Sequence, residues 1–197
     1  MKMFSSQGRD LKLLCKILIV LFLTSPAFAY SSKIEVENNA FMHNNKGVTL
    51  MSEKKYNSAI NEFVIGIRLL PDNPITHPIY NNLGVANLEL AKIAKKQKSR
   101  RYLRYANVAE NSFIHAINYY PVNFSYYVNL VEVYDLMGVL DKKALKYQKN
   151  NELYSPIILA LIYKKQGKIL EAQGIIADFK KKNPELIIVK NIEKYFE

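Results

Sequence analysis

Residues 153–186 read LYSPIILALIYKKQGKILEAQGIIADFKKKNPEL. Leu159-Ala160, with Tyr163 three positions on, belongs to one apolar segment; Ala172, Ile176 and Phe179 belong to a second, and Pro184 closes the stretch. The same spacing recurs toward the amino terminus. Ala59, Ala109 and Ala172 are each followed twelve positions later by a proline: Pro71, Pro121 and Pro184. Four positions after each alanine stands a large apolar residue, Phe63, Phe113 or Ile176. Seven positions after the first two stands another small residue, Gly66 or Ala116, where the third has Phe179. The whole chain has seven prolines, so three of them in this register mark an internal repeat.

The spacing has a physical cause. Small residues let the two helices of a hairpin approach closely, and the large apolar residues fill the seam with the next unit. Proline can begin a helix but cannot continue one, so it marks the break. Tyr56, Ala59, Ile60, Phe63, Ile67 and Leu70 recur at threes and fours, the stripe of an amphipathic helix. Upstream, Gly47 lies twelve before Ala59, and Tyr80, Leu83 and Gly84 form the same opening ahead of Ala109 but with thirteen extra residues between.

These residues resemble the tetratricopeptide repeat, a helix-turn-helix of about 34 residues with the pattern W-x₂-L-G-x₂-Y…A-x₃-F…P. Tyr80 stands where the family usually has tryptophan. The family's first tyrosine is matched by Tyr134 and Tyr163, but is Leu50 and Asn87 in the first two units. The expected fold is all-α, an αα-hairpin superhelix of four units at 40–73, 77–123, 124–152 and 153–186. The third unit is short and lacks its closing proline. A last helix over 185–196 is expected to cap the open apolar face of the stack.

The first 29 residues read differently. Arg9, Lys12 and Lys16 precede an apolar run from Ile17 to Leu23, followed by Thr24-Ser25-Pro26 and Ala27-Phe28-Ala29. That order is the layout of a secretory signal peptide cleaved after Ala29, and the run is far short of the roughly 20 residues a membrane span needs. The expectation is an exported chain, periplasmic or secreted; an uncleaved leader acting as an anchor is the rival reading. The single cysteine, Cys15, lies inside this segment, so residues 30–197 can form neither a disulfide nor a Cys-ligated metal site. Those residues keep a net charge of +8 of the chain's +11, which favours acidic partners, anionic lipid or nucleic acid.

The resemblance implies a binding groove on the concave face lined by the first helix of each unit. Carried onto this chain, it comprises Asn44, Val48 and Met51; Asn81, Val85 and Leu88; Val128, Glu132 and Asp135; and Tyr154, Ile157 and Leu161. Such a floor suits a peptide or partner helix held by amide hydrogen bonds, with Glu132 and Asp135 preferring basic residues. Some relatives clamp a terminal carboxylate with asparagines and cations. Here Asn44 and Asn82 fall at or beside such positions, but Ser125 and Asn129 stand where the cations would be, which argues against that specificity.

Between Glu89 and Glu110 the chain carries Lys92, Lys95, Lys96, Lys98, Arg100, Arg101 and Arg104 with no acidic residue, interleaved with Tyr102 and Tyr105. This basic insertion, 92–104, is the alternative binding element, for an anionic envelope surface or for nucleic acid; a merely solvated hairpin tip is the plainer reading. His43, His77 and His115 are scattered, and no H-E-x-x-H, G-x-S-x-G or phosphate-cradling glycine loop is present. The expectation is a non-enzymatic protein without metal or cofactor, binding a protein partner outside the cytoplasm.

Overall fold

The computed structural model describes residues 26–196, and side chains from Ser32 onward. Most of the leader expected at 1–29 lies outside the described residues. Among the described residues the chain is all helical: α1 (Pro26–Ser52), α2 (Tyr56–Leu69), α3 (His77–Lys96), α4 (Arg101–Tyr119), α5 (Phe124–Met137), α6 (Leu140–Gln148), α7 (Ser155–Lys165), α8 (Ile169–Lys182) and α9 (Ile187–Phe196), with a 3-10 turn at Pro74–Thr76. No helix among them is long and apolar enough to cross a membrane.

The helices pair as antiparallel neighbours α1/α2, α3/α4, α5/α6 and α7/α8. Each second helix packs on the first helix of the next hairpin, and the first helices α1, α3, α5 and α7 also touch in succession. This is an αα-hairpin solenoid whose first helices share one face. Pro71, Pro121 and Pro184 each stand two positions after a helix end, at Leu69, Tyr119 and Lys182. Other boundaries are local. The Asn123 side chain accepts from the Ser125 backbone N–H at 3.1 Å and caps α5, while Gly138 ends it at φ +71°.

Ala59, Ala109 and Ala172 are fully enclosed, each in the second helix of a hairpin. Phe63 and Phe113 are also fully enclosed, and each ring covers the glycine of its own hairpin. A Cβ built on Gly47 would sit 2.4 Å from Phe63 Cε1, and one on Gly84 2.6 Å from Phe113 Cε1. The rings therefore close the hairpin itself as well as the expected seam, since Phe63 also clusters with Ile79 and Leu83 of the next hairpin and Phe113 with Tyr127 and Leu130. Two apolar clusters result. Ala40, Ala59, Phe63, Leu70, Ile79, Leu83 and Ala86 form the first; the second runs from Leu88 and Ala91 to Ile192 and Phe196. Helix α3 contributes to both.

Three features depart from a regular array. Helix α1 has 27 residues and reaches back well before residue 40. Helices α3 and α4 have 20 and 19 residues against 14 in α2 and α8, so the insertion is a continuation of both helices. Helix α6 has only nine, and beside its end lies a cavity of ≈ 480 Å³ lined by Tyr147, Leu153, Leu159 and Phe179 among others.

All three histidines are engaged with neighbouring side chains. His43 Nδ1 lies 2.7 Å from Glu62, which also meets Lys46 at 2.6 Å; the bonds from Lys46 and then His43 hold the Glu62 carboxyl below its usual range. His115 stacks on Tyr80 at 4.9 Å. His77 stacks on Tyr120 at 4.4 Å and bonds the Tyr126 hydroxyl at 2.7 Å, and burial pushes its pKa below the ordinary 6.5. On acidification the unfolded chain therefore takes up this proton first. The contribution is complete above pH 6.5 and is lost as pH falls below it. Thermal melts should show a smaller drop in Tm between neutral and mildly acidic buffer for His77→Gln than for wild type; an equal drop would remove His77 from the account.

Candidate partner-binding groove

Four asparagines connect the first helices of three hairpins. Asn129 on α5 donates to Asn81 on α3 at 3.0 Å, Asn81 to its neighbour Asn82 at 3.5 Å, and Asn82 to Asn44 on α1 at 2.9 Å. Each carboxamide has two donors and two acceptor lone pairs, so a ladder that uses one of each leaves capacity at every rung. Asn44 is 9% exposed, and Asn81, Asn82 and Asn129 are half-buried. Such amides are desolvated enough for a ligand's hydrogen bonds to count, yet open on one side. Val85 and Val128, half-buried, lie one helical turn from Asn81 and beside Asn129.

The carboxylates at the other end are not free. Lys165, at the end of α7, meets Glu132 at 2.6 Å and Asp135 at 3.5 Å. The Glu132 bond is the main reason the Lys165 pKa is raised, so this cation stays charged. The cluster carries one net negative charge, and a basic partner residue must compete with Lys165. Next to it, Lys164 donates to the Tyr195 carbonyl and stands 4.2 Å over the Tyr195 ring, which meets Phe124 of α5 edge-on at 5.1 Å. The last turn of α9 therefore reaches back to α5. Val128, Glu132, Leu161, Lys165 and Tyr195 line a cleft of ≈ 190 Å³ there.

Two of the expected groove residues sit elsewhere. Ile157 is fully enclosed, because α7 is apolar nearly all round and six consecutive residues, Ile157–Ile162, are buried. Tyr154 precedes the helix, so helical phase does not govern it; its ring lies 6.2 Å from Tyr127 and lines a separate cavity with Ile117, Pro121 and Ile158. Leu88 and Leu161 are buried, Met51 is half-buried and Val48 is exposed. Sequence reasoning missed Lys165 and Tyr195. Lys165 follows Leu161 by four on the same helical stripe, a legible signal; Tyr195 reaches the cleft only through tertiary packing.

Lys95, Lys96, Lys98, Arg100, Arg101 and Arg104 lie at the ends of α3 and α4 and on the turn between them, outside the groove. Among the described residues no group of three or more His, Cys, Asp or Glu could hold a metal ion.

No family model matches the chain, and no curated protein does. Among solved structures, a thermophilic tetratricopeptide-repeat protein of Thermus thermophilus is 17% identical, over 80% of this chain and 96% of that one, with a TM-score of 0.39. This chain's own geometry repeats from hairpin to hairpin: glycines roofed by phenylalanines, enclosed alanines, and prolines two residues past the helix ends. Among the described residues the chain is an αα-hairpin solenoid whose hairpin geometry is similar to that of tetratricopeptide repeats.

Proposed function

We propose that the chain is a non-enzymatic scaffold or assembly factor of the cell envelope that holds an extended peptide or partner helix along the first helices of its hairpins. The asparagine ladder Asn44–Asn82–Asn81–Asn129 carries this reading. An extended segment presents alternating N–H and C=O groups, and a row of carboxamides with spare donors and acceptors can meet both. Val85 and Val128 supply apolar contact beside the row, while Glu132 and Asp135, half-neutralised by Lys165, admit a basic side chain without demanding one. The leader-like order of residues 1–29 supports the envelope location.

A photoreactive residue at Val85 or Val128 should crosslink a partner in cells, and one at the exposed Val108 should not. Replacing Asn81, Asn82 and Asn129 together by alanine should weaken capture at least tenfold, at about 0.5–1.5 kcal/mol per lost bond. Equal crosslinking from Val108, or capture indifferent to the triple substitution, would remove the groove from the account. Fractionation that leaves the chain in the cytoplasm would remove the envelope role.

A further inference from the structure

The α3–α4 hairpin is longer than its neighbours, and the surplus turns carry the basic residues. Their side chains divide into two groups. Lys92 bonds Glu89 at 2.7 Å, and Lys95 donates to the Leu136 carbonyl while standing 5.7 Å over the Tyr102 ring. Lys96, Lys98, Arg100, Arg101 and Arg104 are outward-facing and meet no carboxylate among the described residues. Glu110, the next acidic residue along the chain, is already paired with Lys143.

The aromatic residues are not available in the way a nucleic-acid platform requires. Tyr102 is half-buried with Lys95 above it, and Tyr105 packs against the larger apolar cluster. Base stacking needs an open ring face. What the tip exposes is aliphatic: Ile93 and Leu103 are each 42% accessible. Ile93 lies three positions before Lys96, and Leu103 lies three after Arg100 and next to Arg104. Residues three apart on a helix are surface neighbours, so each helix sets an exposed aliphatic side chain beside free cations. That combination matches an anionic lipid surface, where cations meet headgroup phosphates and short aliphatic chains enter the acyl boundary.

We propose that the tip of the α3–α4 hairpin is a membrane-surface contact. Lys96, Lys98, Arg100, Arg101 and Arg104 meet anionic headgroups, and Ile93 and Leu103 dip beneath them. The contact is independent of the groove and places the scaffold at a bilayer whatever the groove holds.

The test is co-sedimentation of the full chain with vesicles of phosphatidylcholine alone or mixed with phosphatidylglycerol, beside a single-stranded oligonucleotide. Wild type should prefer the anionic vesicles, with a fraction of the binding surviving high salt, since apolar contact is not screened. Arg100→Gln, Arg101→Gln and Arg104→Gln together should lower vesicle affinity about a hundredfold, roughly fivefold per cation. Ile93→Ser with Leu103→Ser should spare low-salt binding and abolish the salt-resistant fraction. All five positions are exposed, and unchanged melting curves would show that the variants fold. Any of three results would overturn the proposal: no preference for phosphatidylglycerol, indifference to either set of substitutions, or tighter binding to the oligonucleotide than to the vesicles.

Discussion

Phe113→Ala is expected to lower the unfolding free energy by about 3–5 kcal/mol, the usual cost of emptying a fully enclosed aromatic site. Phe113 is fully buried, its ring lies directly over Gly84, and it belongs to the larger of the two apolar clusters. In a chain of this size that is a fall in Tm of about 10 °C. The complementary change is Gly84→Ala. The new Cβ would stand 2.6 Å from the ring, with backbone helices holding both sides, and overpacking of that kind costs about 1–3 kcal/mol. Phe113→Leu combined with Gly84→Ala should be less damaging than the sum of the two, because a smaller side chain makes room for the methyl. Strictly additive losses would mean that glycine and ring do not meet as described.

Lys143→Met should cost about 2 kcal/mol in denaturant unfolding. Lys143 on α6 pairs with Glu110 on α4, and the two side chains are only 18% and 16% exposed. The ammonium also stands 4.3 Å over the Tyr134 ring, and the Tyr134 and Tyr147 hydroxyls lie 3.1 Å apart. Burial, with the nearby Glu110 charge, pushes both phenols' pKa values up, for Tyr147 against the bond from Tyr134, so both stay neutral. Removing the cation strands the carboxylate among them. A fully buried pair broken this way costs about 3–5 kcal/mol, and partial exposure brings the figure down. Adding Glu110→Gln should restore most of the loss, because an uncharged amide needs no counterion. A double variant as weak as the single would show that lost packing, and not the stranded charge, sets the cost. At nine residues α6 is too short to persist unaided, so it is held by this tether together with the burial of Ala144 and Tyr147 in the larger apolar cluster.

Much of the fold was legible because its constraints are local. The three prolines fixed hairpin ends to within two residues, and the alternation of Gly47 with Phe63 and Gly84 with Phe113 recorded a contact between paired helices. Spacing alone does not say which further neighbour a ring covers, so the closure of each ring over the glycine of its own hairpin shows only in the packing. The face shared by the first helices was legible where helical phase is regular, as along Asn81 and Val85 or Val128 and Glu132. Phase says nothing of Tyr154, which precedes its helix. It also cannot reveal that Ile157 is enclosed on all sides, or that Tyr195 folds back onto α5. The pairing of Lys165 with Glu132 and Asp135 crosses two hairpins, beyond the reach of any single-helix pattern.

Helix α3 has a further consequence. It gives Ile79, Leu83 and Ala86 to one apolar cluster and Leu88 and Ala91 to the other, so a single rod is the common wall of two interiors. In a linear array cooperativity passes only through shared interfaces. Damage on the Phe63 side is therefore transmitted to the remainder only as far as α3 bends or loosens. The amino-terminal hairpin meets the rest chiefly through α3, so loss of α3 breaks the chain of support in both directions at once.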